Sequence, residues 1–113
     1  MDLAEIVRPV LQQEAEQLVL AVRENLLHVN GDEDRFRWLQ RRAISETVGA
    51  VVSDAGINVT ASGPNVHTEE HGGPWQAPAP FLRPALAARI EPLRQALGAA
   101  ISQAIADTLA RRR

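Results

Sequence analysis

The sequence contains one short motif whose residue types could do chemistry, the segment HTEEH at residues 67–71. It fits the H-x-x-E-H pattern of one class of zinc peptidase. On a helix, His67 and His71 would lie one turn apart on the same face and could share a metal ion, with Glu70 beside them as a general base. A small metal-dependent hydrolase is therefore one candidate function.

The sequence around this motif opposes a metal site. Gly63 and Pro64 come just before it and the segment GGP at 72–74 just after it, so a helix here would be little more than one turn. A catalytic zinc also needs a third protein ligand, and the only downstream acids are Glu91 and Asp107. We therefore expect a solvated loop with no metal, no cofactor and no catalytic residue.

Length and composition limit the remaining function classes. The 113 residues fit a single domain, 1–113, and 45% hydrophobic with 23% charged residues is typical of a folded globular protein. The absence of cysteine excludes disulfides, thiolate catalysis and zinc-cysteine or iron-sulfur sites. The longest apolar run, at 18–22, is too short to span a bilayer, and Asp2 and Glu5 do not fit a signal peptide. We expect a protein that is made in the cytoplasm and has no membrane partner.

The charge distribution leaves a second alternative open. The net charge of -2 argues against a dedicated nucleic-acid binder. Residues 61–113 nevertheless hold six basic and four acidic groups, and three arginines end the chain at 111–113. A small nucleic-acid-binding module would use this arginine-rich third.

Hydrophobic periodicity predicts an α+β fold with a long helix at each end. An apolar stripe predicts a helix over 10–28, with Pro9 either kinking a short first turn or starting the helix. The stripe consists of Leu11, Ala15, Leu18, Val22, Leu26 and Val29. A second stripe predicts a helix from the signature below to the C-terminus, kinked or restarted at Pro92. That stripe consists of Leu86, Ile90, Leu93, Leu97, Ile101, Ala104 and Leu109.

The middle of the chain predicts a short helix and a small antiparallel sheet. Acidic residues at 32–34 could cap a helix that carries Phe36 and Trp38 and ends near Ala43. Residues 44–52 and 57–61 then form a hairpin around a turn at 53–56, with a helix over 44–52 as the alternative. Four prolines and a Gly-Gly pair predict an extended loop at 64–80.

The segment APAPFLRPAL at 77–86 carries a family resemblance. It resembles the P-x-P-F-L-R-P-A-L signature of the small head-tail joining proteins of long-tailed double-stranded DNA phages, also described as neck, tail-completion or minor tail components. Upstream, the triplet EHG at 70–72 lies where this family has E-F-G or E-Y-G. The order of elements is also that of the family.

The resemblance implies a structural virion protein that forms a ring in the phage neck. The partners would be further copies in a homo-oligomeric hexamer, the portal, adaptor or head-closure proteins on one side, and the tail tube or tail terminator on the other. DNA in the lumen would be contacted without sequence preference. The protein would reside in the virion, and in the host cytoplasm before assembly.

The signature also has a direct physical interpretation as a structural latch. Two prolines impose an extended approach, Phe81 and Leu82 enter the core, and Pro84 lies in the first turn of the last helix. We expect the loop at 65–79 to become ordered only against neighbouring subunits, with Trp75 buried there. The residues expected to form the latch or a subunit interface are Glu70, Gly72, Trp75, Pro78, Pro80, Phe81, Leu82, Arg83 and Pro84.

Overall fold

The computed structural model describes residues 2–28, 35–54, 56–74, 76 and 78–112. Long helices at both ends enclose shorter helices and a two-stranded antiparallel sheet, which confirms the predicted α+β class. In chain order the elements are α1 (Leu3–Leu27), α2 (Arg35–Ser45), β1 (Gly49–Ser53), β2 (Gly56–Thr60), α3 (Val66–His71) and α4 (Leu82–Arg111).

Helix α1 begins at Leu3, so the predicted start at residue 10 is wrong. Asp2 is the N-cap, and its Oδ1 accepts a hydrogen bond from the backbone N–H of Ala4 at 3.0 Å. Pro9 lies inside the helix rather than at its start. The helix continues through it because Pro9 is exposed and removes only the bond to the Glu5 carbonyl.

Helices α1 and α4 run antiparallel to each other along a molecule of 65 × 21 × 20 Å. At one end the side-chain amide of Asn25 donates to the Phe81 carbonyl at 3.2 Å. Near the middle, Arg89 donates to both oxygens of the buried Glu14 carboxylate at 2.8 Å. Like α1, α4 is one helix with its proline, Pro92, in the interior. Within the described residues, no helix combines the length and the apolar character needed to cross a membrane.

The hairpin packs on another side of α1, with its tip tied to the helix by an ion pair of 3.0 Å between Arg8 and Asp54. Val51 pairs with Asn58 and Ser53 with Gly56, so the predicted hairpin is confirmed. Its first strand is shorter than predicted, because residues 44 and 45 still belong to α2. Helix α2 therefore ends two residues beyond its predicted end, and the acidic residues predicted to cap it, 32–34, lie outside the described residues.

The buried apolar core lies where the C-terminal end of α1 meets α2, the hairpin and the start of α4. It contains Val22, Leu26, Ile44, Val48, Phe81 and Ala85. The predicted α1 stripe is buried from Ala15 to Leu26, while its last residue, Val29, lies outside the described residues.

The apolar stripe predicted for α4 is covered only in part. Leu86, Ile90 and Leu109 are 44%, 55% and 56% exposed, and Ala85 is the one buried residue among the thirty of the helix. The half-buried side of α4 combines Arg89 with four residues of the stripe, which are Leu93, Leu97, Ile101 and Ala104. A long helix with large apolar side chains in solvent is typical of a chain that packs against a further partner.

Candidate functional site

The HTEEH motif forms helix α3, which corrects the expectation of a loop for residues 66–71. Asn65, at φ 56°, starts this six-residue helix in a left-handed conformation, and Gly72, at φ 81°, ends it. Glycine and proline on both sides limit the helix to one and a half turns but do not prevent it. The chain from 64 to 80 is therefore not one extended loop.

Helix α3 points its two histidines outward and its two glutamates inward. His67 and His71 are exposed, with ring centroids 4.6 Å apart, whereas Glu69 and Glu70 are 0% and 4% exposed. Among the described residues, no group of three or more His, Cys, Asp and Glu side chains is arranged to hold a metal ion.

Glu70 caps helix α4 from outside that helix. Its Oε2 accepts the backbone N–H groups of Phe81 and Leu82 at 2.7 and 2.9 Å, and its Oε1 accepts that of Arg83 at 2.9 Å. The next residue, Pro84, has no N–H to satisfy. One carboxylate and one proline thus account for the free donors at the start of α4, where a negative charge is also favoured by the helix dipole.

Arg83 closes the capping unit around Glu70. Its side chain donates from Nε to Oε1 of Glu70 at 3.3 Å and from Nη2 to the Glu70 backbone carbonyl at 2.8 Å. The separated parts of the signature, Glu70 and the FLRP segment at 81–84, therefore form one structural unit.

A tight turn between α3 and α4 brings the two parts of this unit together. Gly72 has a positive φ, and a Cβ there would lie 2.9 Å from Cδ of Pro78. Gly73 and Gln76 pair across the turn, and the N–H of Ala79 donates to the Glu69 carbonyl at 2.8 Å. Pro80 is half-buried just before Phe81, and Trp75, the predicted interface aromatic, lies outside the described residues.

Glu69, the other buried carboxylate, is held by an arginine pair. It accepts bonds from Arg37 and Arg41 of α2 and from the side-chain amide of Gln76. Arg41 is 1% exposed and also donates to three backbone carbonyls, those of Asn25 and Leu26 at the end of α1 and that of Ala79. One guanidinium therefore joins α1, α2, α3 and the segment that leads into α4.

Both carboxylates remain ionised because their partners outweigh burial. Burial raises the pKa of Glu69, but hydrogen bonds from its two arginines and from Gln76, with the charge of Arg37, leave it below the ordinary value. Burial likewise raises the pKa of Glu70, and the N–H donors of α4 with the Arg83 side chain lower it by more. Glu70, the general base that the zinc-peptidase pattern requires, thus has both oxygens occupied by donors of α4. The arrangement fastens chain segments together.

The two lowered pKa values predict that the protein loses stability in acid. A carboxylate whose pKa is lower in the folded chain stabilises it fully above the unfolded value, near 4.5, and that contribution disappears as the pH falls through the folded pKa. We expect the thermal midpoint to fall steeply below about pH 4.5. Glu70→Gln should lower the midpoint at pH 7 and flatten its dependence on pH, whereas exposed Glu46→Gln should leave both unchanged. Thermal melts from pH 3 to pH 7 measure this, and equal slopes for both variants would contradict it.

The exposed histidines predict a neutral substitution. Changing His67 and His71 together to Ala should leave folding intact, because both side chains lie in solvent. We also expect the purified protein to hold no stoichiometric zinc. Circular dichroism and elemental analysis test the two statements, and one tightly held equivalent of zinc would refute the second.

Phe81 and Leu82 enter the core as the signature predicted. Phe81 is 0% exposed, Leu82 packs beside it, and the Arg41 guanidinium carbon lies 5.8 Å from the centre of the Phe81 ring. Phe36, by contrast, is 70% exposed. Trp38 is half-buried, with Arg42 over its ring at 5.5 Å.

The arginine pair that holds Glu69 was not predicted from the sequence. One signal could have found it: Arg37, Arg41 and Ile44 follow helical spacing, so both arginines lie on the α2 face that also carries a β-branched apolar residue. The run of arginines at 41 and 42 instead reads as a solvated surface.

Comparisons of the chain with protein-family models, with curated proteins and with solved structures found no match.

Proposed function

We propose that this protein is a structural component of a phage virion, a subunit of the ring in the neck that joins the DNA-filled head to the tail. The observation that carries the proposal is the capping of α4 by Glu70. The residues that resemble the head-tail joining signature are the ones that fix α4 to the rest of the chain. Their spacing thus has a structural purpose, as expected of a family signature in a protein without catalytic chemistry.

The uncovered surface of α4 supports an assembly function. Leu86, Ile90, Ile105 and Leu109 are each between 44% and 56% exposed. A chain of this size buries only a small core. Large apolar side chains that stay exposed on it are typical of a subunit that buries them against neighbours.

In the proposed ring each subunit presents one surface to the preceding copy and a different one to the next, and rotation closes the ring. Sixfold symmetry is what the resemblance implies. Portal, adaptor or head-closure proteins lie on the head side and the tail tube or tail terminator on the tail side. DNA passes through the lumen and is contacted there without sequence preference.

The two alternatives have weaker support in the structure. A metal-dependent hydrolase would need Glu70 as its base, and that carboxylate is engaged by α4. A nucleic-acid-binding module would need the C-terminal arginines, but Arg111 and Arg112 line a shallow groove with Asp2, Glu5 and Asp107. Acidic neighbours reduce the attraction of such a site for phosphate.

Disruption of the gene in the phage or prophage that carries it tests the proposed function. We expect filled heads and separate tails by electron microscopy, with joined particles restored by the wild-type gene supplied in trans. A gene that carries Phe81→Ala should not restore joined particles, because the cavity in the core destabilises the subunit. A gene that carries Phe36→Ala should restore them if this exposed residue is not a neck contact. Normal joined particles without the gene would overturn the proposal.

A further inference from the structure

One outer face of α4 carries apolar and basic side chains. Its exposed residues follow helical steps of four and seven and are Arg83, Ile90, Arg94, Gly98, Ile105 and Leu109. A Cβ on Gly98 would meet no atom within 4 Å, so the fold of one chain gives no reason for a residue that costs about 1 kcal/mol in a helix interior. A second helix approaching closely at that point would give one.

The two arginines of this face, Arg83 and Arg94, keep exposed side chains although each has an acidic partner. Arg94 lies 3.5 Å from Glu91 on its own helix, with both side chains well exposed. Such exposed pairs contribute between about 0 and 1 kcal/mol, so a neighbouring carboxylate can compete for the arginine. Arg83 binds Glu70 but its side chain is still 59% exposed.

The outer face of α1 has the opposite charge. Between the sides covered by α4 and by the hairpin lie exposed acidic and apolar residues, which are Glu5, Glu16, Leu20, Glu24 and Leu27. Leu20 and Leu27 are 57% and 46% exposed. None of the three glutamates has an ion-pair partner within the described part of the chain.

A groove beside this acidic face offers room for the side chains of a neighbour. It has a volume of about 640 Å³ and lies between α1 and β1. Glu16 and Leu20 form one wall, and Ala50 and Val52 form part of the other. Arg23 also lines the groove, but its guanidinium donates to the carbonyls of Ser45 and Val48. The apolar lining with Glu16 at its edge is complementary to the apolar and basic face of α4.

The heights of the charged groups along the helices also match. Within one chain, Asn25 is level with Phe81, and Glu14 with the stretch from Arg89 to Ala96. A copy generated by rotation about an axis parallel to the helices keeps these heights. Glu24 is then level with the neighbour's Arg83, and Glu16 lies about 6 Å along the axis from its Arg94, within reach of two long side chains.

We propose that the outer face of α4 in one copy packs against the outer face of α1 in the next, so that α1 and α4 alternate around the ring. This contact rests on the proposed neck ring and names its subunit interface. It places Glu16 and Glu24 opposite Arg94 and Arg83, and it covers Ile90 with Leu20. It also places α4 between two α1 helices, which accounts for a thirty-residue helix with one buried residue in the single chain.

Charge reversal on either side of the contact tests it. Arg94→Glu and Glu16→Arg are each expected to raise the dissociation constant for assembly by at least about tenfold, because like charges then face each other. An equimolar mixture of the two variants should assemble again, because opposite charges meet at every junction of an alternating ring. Analytical ultracentrifugation and native mass spectrometry measure the assemblies. Gln95→Glu, on the neighbouring face of α4, is the matched control and should assemble like the wild type.

The outcomes separate this contact from the proposed function. Rings formed by both single variants as readily as by the wild type would overturn the contact and leave the neck function standing. A restored species of only two copies would overturn the alternating ring in favour of a closed dimer. A wild-type protein that stays monomeric at its highest soluble concentration would also overturn the contact. The proposed function would then be tested by the gene disruption alone.

Discussion

Arg41→Met is expected to lower the free energy of unfolding by about 3–5 kcal/mol, the usual effect of removing one partner of a buried ion pair. The substitution leaves the carboxylate of Glu69, which is 0% exposed, without its most buried counter-charge. It also removes the donor for three carbonyls, two of them at the end of α1. Because a domain of this size has a total stability of about 5–15 kcal/mol, the loss is a large fraction of it.

Urea denaturation at pH 7 measures this loss, and Arg42→Met is its matched control. Arg42 is the next residue of α2 and is exposed, with its guanidinium over the ring of Trp38, so its replacement should change the stability by less than about 1 kcal/mol. Adding Glu69→Gln to Arg41→Met should cost less than the sum of the single changes, because the double variant buries no unpaired charge. Equal destabilisation by the two arginine substitutions would show that Arg41 is not the junction described.

Phe81→Ala should also cost about 3–5 kcal/mol, as for other buried phenylalanines. Phe81 is fully buried among residues of α1, α2 and α4, so that the shortened side chain leaves a cavity in the core. We expect the thermal midpoint to fall by more than about 10 °C.

Phe36→Ala is the comparison for Phe81→Ala, since the chain has only two phenylalanines and Phe36 is 70% exposed. In the isolated protein it should leave the midpoint within about 2 °C of the wild type. A midpoint for Phe81→Ala within that same range would mean that Phe81 is exposed in solution.

The elements with strong periodicity could be predicted from the sequence. The α1 stripe from Ala15 to Leu26 marks its buried face, and the β-branched residues around the turn at Asp54 mark the hairpin. Both depend on local spacing alone. The FLRP segment was likewise placed correctly, because proline and phenylalanine restrict what the chain can do there.

Features that depend on distant partners could not be predicted in this way. Glu69 and Glu70 lie in a short polar segment, and their burial follows from arginines of α2 and from the backbone of α4. The apolar residues of α4 predicted the helix correctly, but only some of them lie on its covered side, because large side chains occur on more than one face. Sequence periodicity identifies an apolar face without saying whether the same chain covers it.

The capping of α4 by Glu70 couples the formation of two helices. A helix of six residues cannot persist alone, because nucleation costs more than so few hydrogen bonds return. The first turn of α4 in turn has no side-chain cap from its own N-cap residue and relies on α3 for acceptors. We therefore expect the two segments to form one cooperative unit, in which the amides of α3 and of the first turn of α4 exchange with solvent through the same opening event. A partner that binds α3 would also hold the start of α4 in place.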